Sequence, residues 1–305
     1  MENPNNVPIK IDVKANSKDA ANVINKLIDT IKAPFSWWAK GKEPVVQAQA
    51  EVDAMLIRAR SIEPLAEALG ITKEDATSLV LRSEQREQYE KIRHQKNIES
   101  IVQTAVEILP TNAISEKPVD EDWTAEFFES CKNVSNEEMQ SIWARILAGE
   151  VVEPGTFNKR TLAFVKTLSP QEAALFTKFC GLLWHDPSNG LIHISLSDDE
   201  LAKKFGISYL DIVELESLGL IRFDASTEIN WEAPGVPLIF FYGEPFYFYP
   251  KQQNGKIQIN VTPLTKLGSS IATIAGGTRN NEYMNAVFET INSKNVFLCD
   301  KPPRY

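Results

Sequence analysis

Little in this 305-residue chain is equipped for acid–base or thiol chemistry. It has three histidines, His94, His185 and His193, and three cysteines, Cys131, Cys180 and Cys299. The cysteines are odd in number, far apart and free of any CxxC pair. That spacing argues against a disulfide framework or a zinc site and points to a reducing compartment. No run approaches the ~18 apolar residues a membrane-spanning helix needs. The opening MENPNNVPIKIDVKAN has no apolar core of the kind a signal peptide carries, so a cytoplasmic protein is expected. The GxSxG, P-loop, GxGxxG-before-helix and HExxH patterns are all missing. No catalytic, cofactor-binding or metal-binding residue is therefore assigned, and no cofactor is expected. An enzyme whose residues converge from distant segments stays open as an alternative.

The composition is that of an ordinary globular protein, with 43% apolar and 24% charged residues and a net charge of -9. Such an acidic chain is no obvious nucleic-acid binder as a whole. Its length fits two or three domains. The reading divides it into a flexible tail (1–16), a helical region (17–120), a helical core block (121–184), a winged-helix-like domain (185–279), and a final helix and tail (280–305). The fold class expected is mainly α, with an α+β C-terminal domain.

Helical periodicity carries most of that division. After Ser17, apolar residues at Ala20, Val23, Ile24, Leu27, Ile28 and Ile31 face one side, until Pro34 stops the helix. Six lysines stand against two aspartates between Lys14 and Lys42. With Lys26, Lys32, Phe35, Trp37, Trp38 and Lys40, this segment has the basic, Trp-terminated pattern of a helix that lies on a membrane surface or packs on a partner. Thr72 with Asp75 predicts the start of a long helix reaching about Leu109, whose middle (82–96) is nearly all polar and places His94 on a solvated face. Asp120, Glu121 and Asp122 read as an acidic linker. Helices follow over 122–134 and 135–152, the second capped by Ser135 and stopped at Gly149. Ser169-Pro170 begins a helix expected to run through Trp184.

From about residue 190 the order is helix, strand, helix, turn, helix, strand, strand, helix, as in a winged helix-turn-helix. The helix in the recognition position, SYLDIVELESLG, carries Asp211, Glu214 and Glu216 and no basic residue. Phosphate contacts need Lys and Arg, so a protein-contact version is preferred and a nucleic-acid-binding regulator is the alternative. The aromatic segment 238–250 is paired, through KQQNG, with the strand at 256–262 as a hairpin. Its Phe241, Tyr242, Tyr247 and Tyr249 either fill a sheet face or form a contact surface. His185 and Asp186 lie in a turn, where a turn-capping aspartate is favoured over a metal or triad reading. His193 is expected to fill the space between strand and helix.

The block WARILAGEVVEPGTFNKRTLAFVKTLSPQEAALF (143–176), with Trp143, Gly149, Glu150, Pro154, Gly155 and Arg160, resembles a bacterial family of uncharacterised proteins. That family is distantly similar to the abortive-infection alpha group of phage-defence proteins. The resemblance implies a role in antiviral defence, as an effector or sensor. The residues themselves lead to the expectation of a protein partner or homo-oligomer, with peripheral contact at the inner membrane through the N-terminal helix. It implies no catalytic residues. Physically, the block reads as structural, with Arg160 placed to pair with Glu150 or Glu172.

Overall fold

The computed structural model describes residues 61–109, 114–188, 190–196, 203–222, 228–231, 238–250, 257–293 and 296–299. The N-terminal helix expected between Ser17 and Pro34 lies outside the described residues, as do residues 197–202. The described chain is mainly α, with an α+β C-terminal part. It divides between Gly155 and Thr156 into two compact units.

The first unit holds α1 (61–69), α2 (Lys73–Ile108), α3 (Glu121–Cys131) and α4 (Glu137–Val152). Thr72 caps α2, its hydroxyl accepting from the Asp75 amide at 3.1 Å. The first half of α2 is a polar, largely exposed rod on which Glu87 and Lys91 pair at 2.7 Å. Such an exposed pair adds a few tenths of a kcal/mol. From Asn97 onward α2 turns apolar, and Ile101, Val102, Ala105 and Val106 bury against α4. There they join Ile142, Trp143, Ile146, Leu147 and Val151, with Phe127 of α3 edge-on to Trp143 at 5.4 Å.

Three boundaries differ from expectation, each for a local reason. Asp120 is no linker residue: its carboxylate caps α3 through the Trp123 amide at 2.8 Å. Asn136, not Ser135, caps α4, because Ser135 turns back to hydrogen-bond Asn97. Gly149 does not stop α4. The helix continues to Val152, with the Gly149 carbonyl accepting from Glu153 N in its last turn.

The second unit holds α5 (Lys159–Thr167), α6 (Pro170–Cys180), α7 (Tyr209–Ser217), α8 (Lys266–Ala275) and α9 (Asn281–Ser293). Its strands are β1 (Leu183–Asp186), β2 (Gly190–Ile194), β3 (Glu228–Trp231), β4 (Leu238–Phe241), β5 (Glu244–Pro250), β6 (Ile257–Pro263) and β7 (Val296–Cys299). They form a seven-stranded sheet in the order β3-β6-β2-β1-β4-β5-β7, every described pairing antiparallel.

A full capping box of Ser169 and Glu172 starts α6. The helix ends at Cys180 rather than running through Trp184, which instead sits on β1 opposite Ile192. The β-rich segments also pair differently from expectation. β5 does not turn into β6. It pairs back on β4 through the two-residue loop Tyr242-Gly243, and its other edge takes β7. Both loop residues have positive φ, 50° and 82°, which is the two-residue turn that matches strand twist and the reason glycine is needed at Gly243. β6 lies between β3 and β2.

Helix α8 approaches closely enough that a Cβ on Gly268 would collide with the Leu220 carbonyl. Thr265 locks the same junction, its hydroxyl capping α8 and donating to Gly219 O at 2.6 Å.

Candidate functional site

Two features of the second unit have the makings of a site: a cavity against β2, and the outer face of α7. Ser208 and Asp211 start α7 with a reciprocal capping box; Ser208 N donates to the Asp211 carboxylate at 2.6 Å. Asp211 is thereby committed to structure. Ile212 and Leu215 face inward and are buried. Outward, Tyr209, Leu210 and Val213 are 60%, 74% and 38% exposed, a contiguous apolar strip on a helix whose charged residues are all acidic. Lys204, just before it, lies 3.9 Å from the Glu282 carboxylate.

Against α7 lies a pocket of about 190 Å³, partly open to solvent and lined by His193, Ser195, Phe205, Ile212, Thr262 and Tyr283 among others. Asn280 caps α9, its side chain accepting from Tyr283 N at 2.9 Å, and so sets the Tyr283 ring at the start of that helix. The ring is fully buried and its hydroxyl donates to Ile194 O at 2.7 Å. Burial raises the Tyr283 hydroxyl pKa, so it stays protonated. His193 stacks on that ring, planes 14° apart, and contacts Phe179 on α6 at 5.1 Å. Burial pulls the imidazole down from 6.5 to about 4, so it is neutral at physiological pH. Its Nδ1 is buried with no hydrogen-bond partner.

Lys26, Lys32, Phe35, Trp37, Trp38 and Lys40 lie outside the described residues. Phe241 is wholly buried against Trp184, ring centroids 4.6 Å apart, so it belongs to the core. Tyr242 is half-buried and donates its hydroxyl to Cys180 O at 3.2 Å. Tyr247 is half-buried on β5; the Tyr249 side chain lies outside what is described. Trp143 is fully buried on α4. Glu150, also buried, accepts from Gly155 N at 2.6 Å and so closes the turn after α4, where Pro154 is half-buried and Gly155 has φ of 101°. Arg160 is exposed on the first turn of α5, and Glu172 is held by its capping box. Asp186 accepts from Ser188 N at 2.7 Å, the turn-capping role expected of it. His94 departs from its solvated reading: it is half-buried, with Nε2 2.7 Å from Asn133 Oδ1.

Among the described residues no three His, Cys, Asp or Glu side chains group as metal ligands. None of the described helices is long and apolar enough to cross a membrane. The cavity was not legible in sequence, because its walls come from β2, β6, α7, α9 and the 205–208 turn. His193, expected to fill the space between strand and helix, is one of its lining residues.

No curated protein and no solved structure matches the chain. One family model does, across residues 81–288, more than half of the 305-residue length and spanning α2 from Leu81 to α9. The chain belongs to the family described as protein of unknown function (DUF2806).

Proposed function

We propose that this chain is a non-enzymatic interaction protein whose C-terminal unit is a winged-helix module turned to holding another protein. The observation that carries the reading is the outer face of α7. It offers Tyr209, Leu210 and Val213 to solvent and bears acidic charge only. Major-groove readers need basic side chains to neutralise phosphates. An exposed apolar strip rimmed by carboxylates instead fits a protein surface with apolar knobs and basic neighbours. The winged-helix reading is supported by the adjacency of β2, β6 and β3, with α6 before them and α7 between β2 and β3 in the chain. On this reading the β4–β5 hairpin is an insertion between the two wing strands.

The test is site-specific photo-crosslinking from Val213 in cells, with Leu210→Asp as the control, beside gel shifts on DNA and RNA at low salt. A discrete protein adduct that the Leu210 substitution abolishes supports the reading. Salt-sensitive nucleic-acid binding without a protein adduct overturns it in favour of a nucleic-acid-binding regulator.

The sequence resemblance to phage-defence proteins supports placing that partner in antiviral defence. Plating efficiency of phage on cells with and without the gene tests this, and equal plating across a broad phage panel overturns it. The Lys- and Trp-bearing segment around Lys26, Lys32, Phe35, Trp37, Trp38 and Lys40 is proposed as a second contact element, on a membrane surface or a second copy. Sedimentation with anionic liposomes, with and without residues 1–44, separates those two outcomes.

A further inference from the structure

The large apolar side chains left exposed among the described residues fall in two places. One runs from Leu69 to Ile92, at the end of α1 and along the exposed stretch of α2; the other runs from Tyr209 to Val213 on α7. Scattered singly, such side chains need no explanation, but gathered on one face they mark a contact surface. The two patches differ in the charge beside them.

On α2, Leu81 and Ile92 are about three helical turns apart and so share one side of the rod, with Tyr89 one turn before Ile92. Leu81, Tyr89 and Ile92 are 55%, 68% and 70% exposed. Arg82 and Arg86, one turn apart and both exposed, run beside them. Arg82 gives one N–H to Ser78 Oγ and keeps the rest of its guanidinium fork. Glu87 lies on the opposite side of the rod, where it pairs with Lys91. Helix α7 is the converse. Its strip of Tyr209, Leu210 and Val213 is flanked by Glu214 on one side and Glu216 on the other, both exposed, and the helix has no basic residue.

We propose that α7 of one copy of this chain docks on α2 of a second copy, apolar strip on apolar strip, with Glu214 and Glu216 meeting Arg82 and Arg86. The inference rests on the reading of α7 as a protein-contact surface and names its partner. Unlike patches that fit each other make a heterologous contact between identical chains. Two acidic α7 faces would repel each other, whereas a basic rim steers α7 onto α2. Tyr89, Tyr209 and the two arginines are also of the residue types enriched in protein interfaces and their hot spots.

The experiment uses the full chain, purified, with a photo-crosslinking residue at Val213, beside sedimentation velocity over a concentration series. An adduct of twice the chain's mass, with its peptides mapping to α2, is expected, as is self-association that weakens with added salt. Arg82→Glu with Arg86→Glu should weaken association at least about tenfold, and so should Glu214→Lys with Glu216→Lys. Mixing the two double variants should restore association, because the first keeps an intact α7 and the second an intact α2; a variant that had merely unfolded could not do this. A chain that stays monomeric, a self-adduct that maps outside α2, or a mixture that fails to associate would each overturn the proposal. If Val213 then crosslinks a different protein in cells, the reading of α7 as a contact surface survives; if it crosslinks nothing, that reading falls too.

Discussion

His193 and Tyr283 lie ring on ring, centroids 5.6 Å apart, with the tyrosine hydroxyl tied to the carbonyl of the residue after the histidine. The pair joins β2 to α9 and makes the protein's stability depend on pH. In the folded chain the imidazole takes a proton only near pH 4, against 6.5 in an open chain. Between those values the unfolded state binds more protons, so stability falls as pH drops through 6.5 and levels off below about 4. The size is on the order of 3 kcal/mol, from 1.36 kcal/mol per pKa unit. Urea unfolding midpoints measured from pH 7.5 to 4 should show this slope, and His193→Phe should flatten it. Identical slopes in both proteins would show that the imidazole is not held neutral.

A second prediction concerns the polar centre of the first unit. Asn97, 4% exposed, donates to Lys132 O at 2.9 Å and exchanges hydrogen bonds with Ser135. Gln140 donates to Val134 O at 2.8 Å and accepts from Ser100 at 2.8 Å. Together these side chains satisfy the turn between α3 and α4 and pin it to α2. Replacing Asn97 by Leu keeps the volume but orphans the Lys132 carbonyl and the Ser135 hydroxyl, and is expected to cost about 2 kcal/mol. Gln140→Leu should cost a similar amount. Since the two amides share one network, the double variant should lose less than the sum of the two. Strict additivity in urea titrations would mean that they act independently.

Comparing sequence with structure shows which physical signals are local. Thr72 and Ser169 announce their helices because a cap needs only the next three residues. The α+β character of the C-terminal part was legible for a similar reason, as strand periodicity changes within a few residues. The strand at Leu183–Asp186 was not, because a short apolar run continuing a helix has no period of its own to tell it apart. Which strand neighbours β5 was not legible either. KQQNG looks like a turn, yet Tyr242-Gly243 makes the hairpin and the partner on the other edge, β7, is some fifty residues away in the chain. The cavity is the extreme case, assembled from five segments by tertiary packing alone.

The contact between α8 and the Leu220 backbone gives a third prediction. A methyl group on Gly268 meets backbone rather than a side chain that can swing aside. Gly268→Ala should therefore destabilise by roughly 1–3 kcal/mol despite alanine's better helix propensity. Differential scanning calorimetry reads this as a lowered Tm; a rise in Tm would mean that α8 can move off Leu220 at little cost.

Buried thiols give a fourth. Cys131 and Cys180 are both buried, and loss of hydration pushes the Cys131 thiol to about 12 and raises that of Cys180 as well. Alkylation requires the thiolate. With iodoacetamide at pH 8, peptide mapping should find both residues unmodified in the folded chain and fully modified in urea. Rapid labelling of either one under native conditions would show that its surroundings open.

The face of α7 allows a sharper separation of fold from function. Leu210 and Leu215 lie five residues apart on one helix, the first 74% exposed and the second fully buried. An aspartate at Leu215 puts a charge into the core and should unfold the second unit, since an unpaired buried charge costs several kcal/mol. An aspartate at Leu210 adds a charge to an already acidic, solvated face and should shift stability by no more than about 0.5 kcal/mol. If α7 is a contact surface, Leu210→Asp must also abolish the Val213 crosslink while circular dichroism and Tm stay at wild-type values. A Leu210→Asp protein that is as stable as wild type and still forms the same adduct would remove α7 from the interface. A marked fall in Tm for Leu210→Asp would instead show that Leu210 packs within the chain.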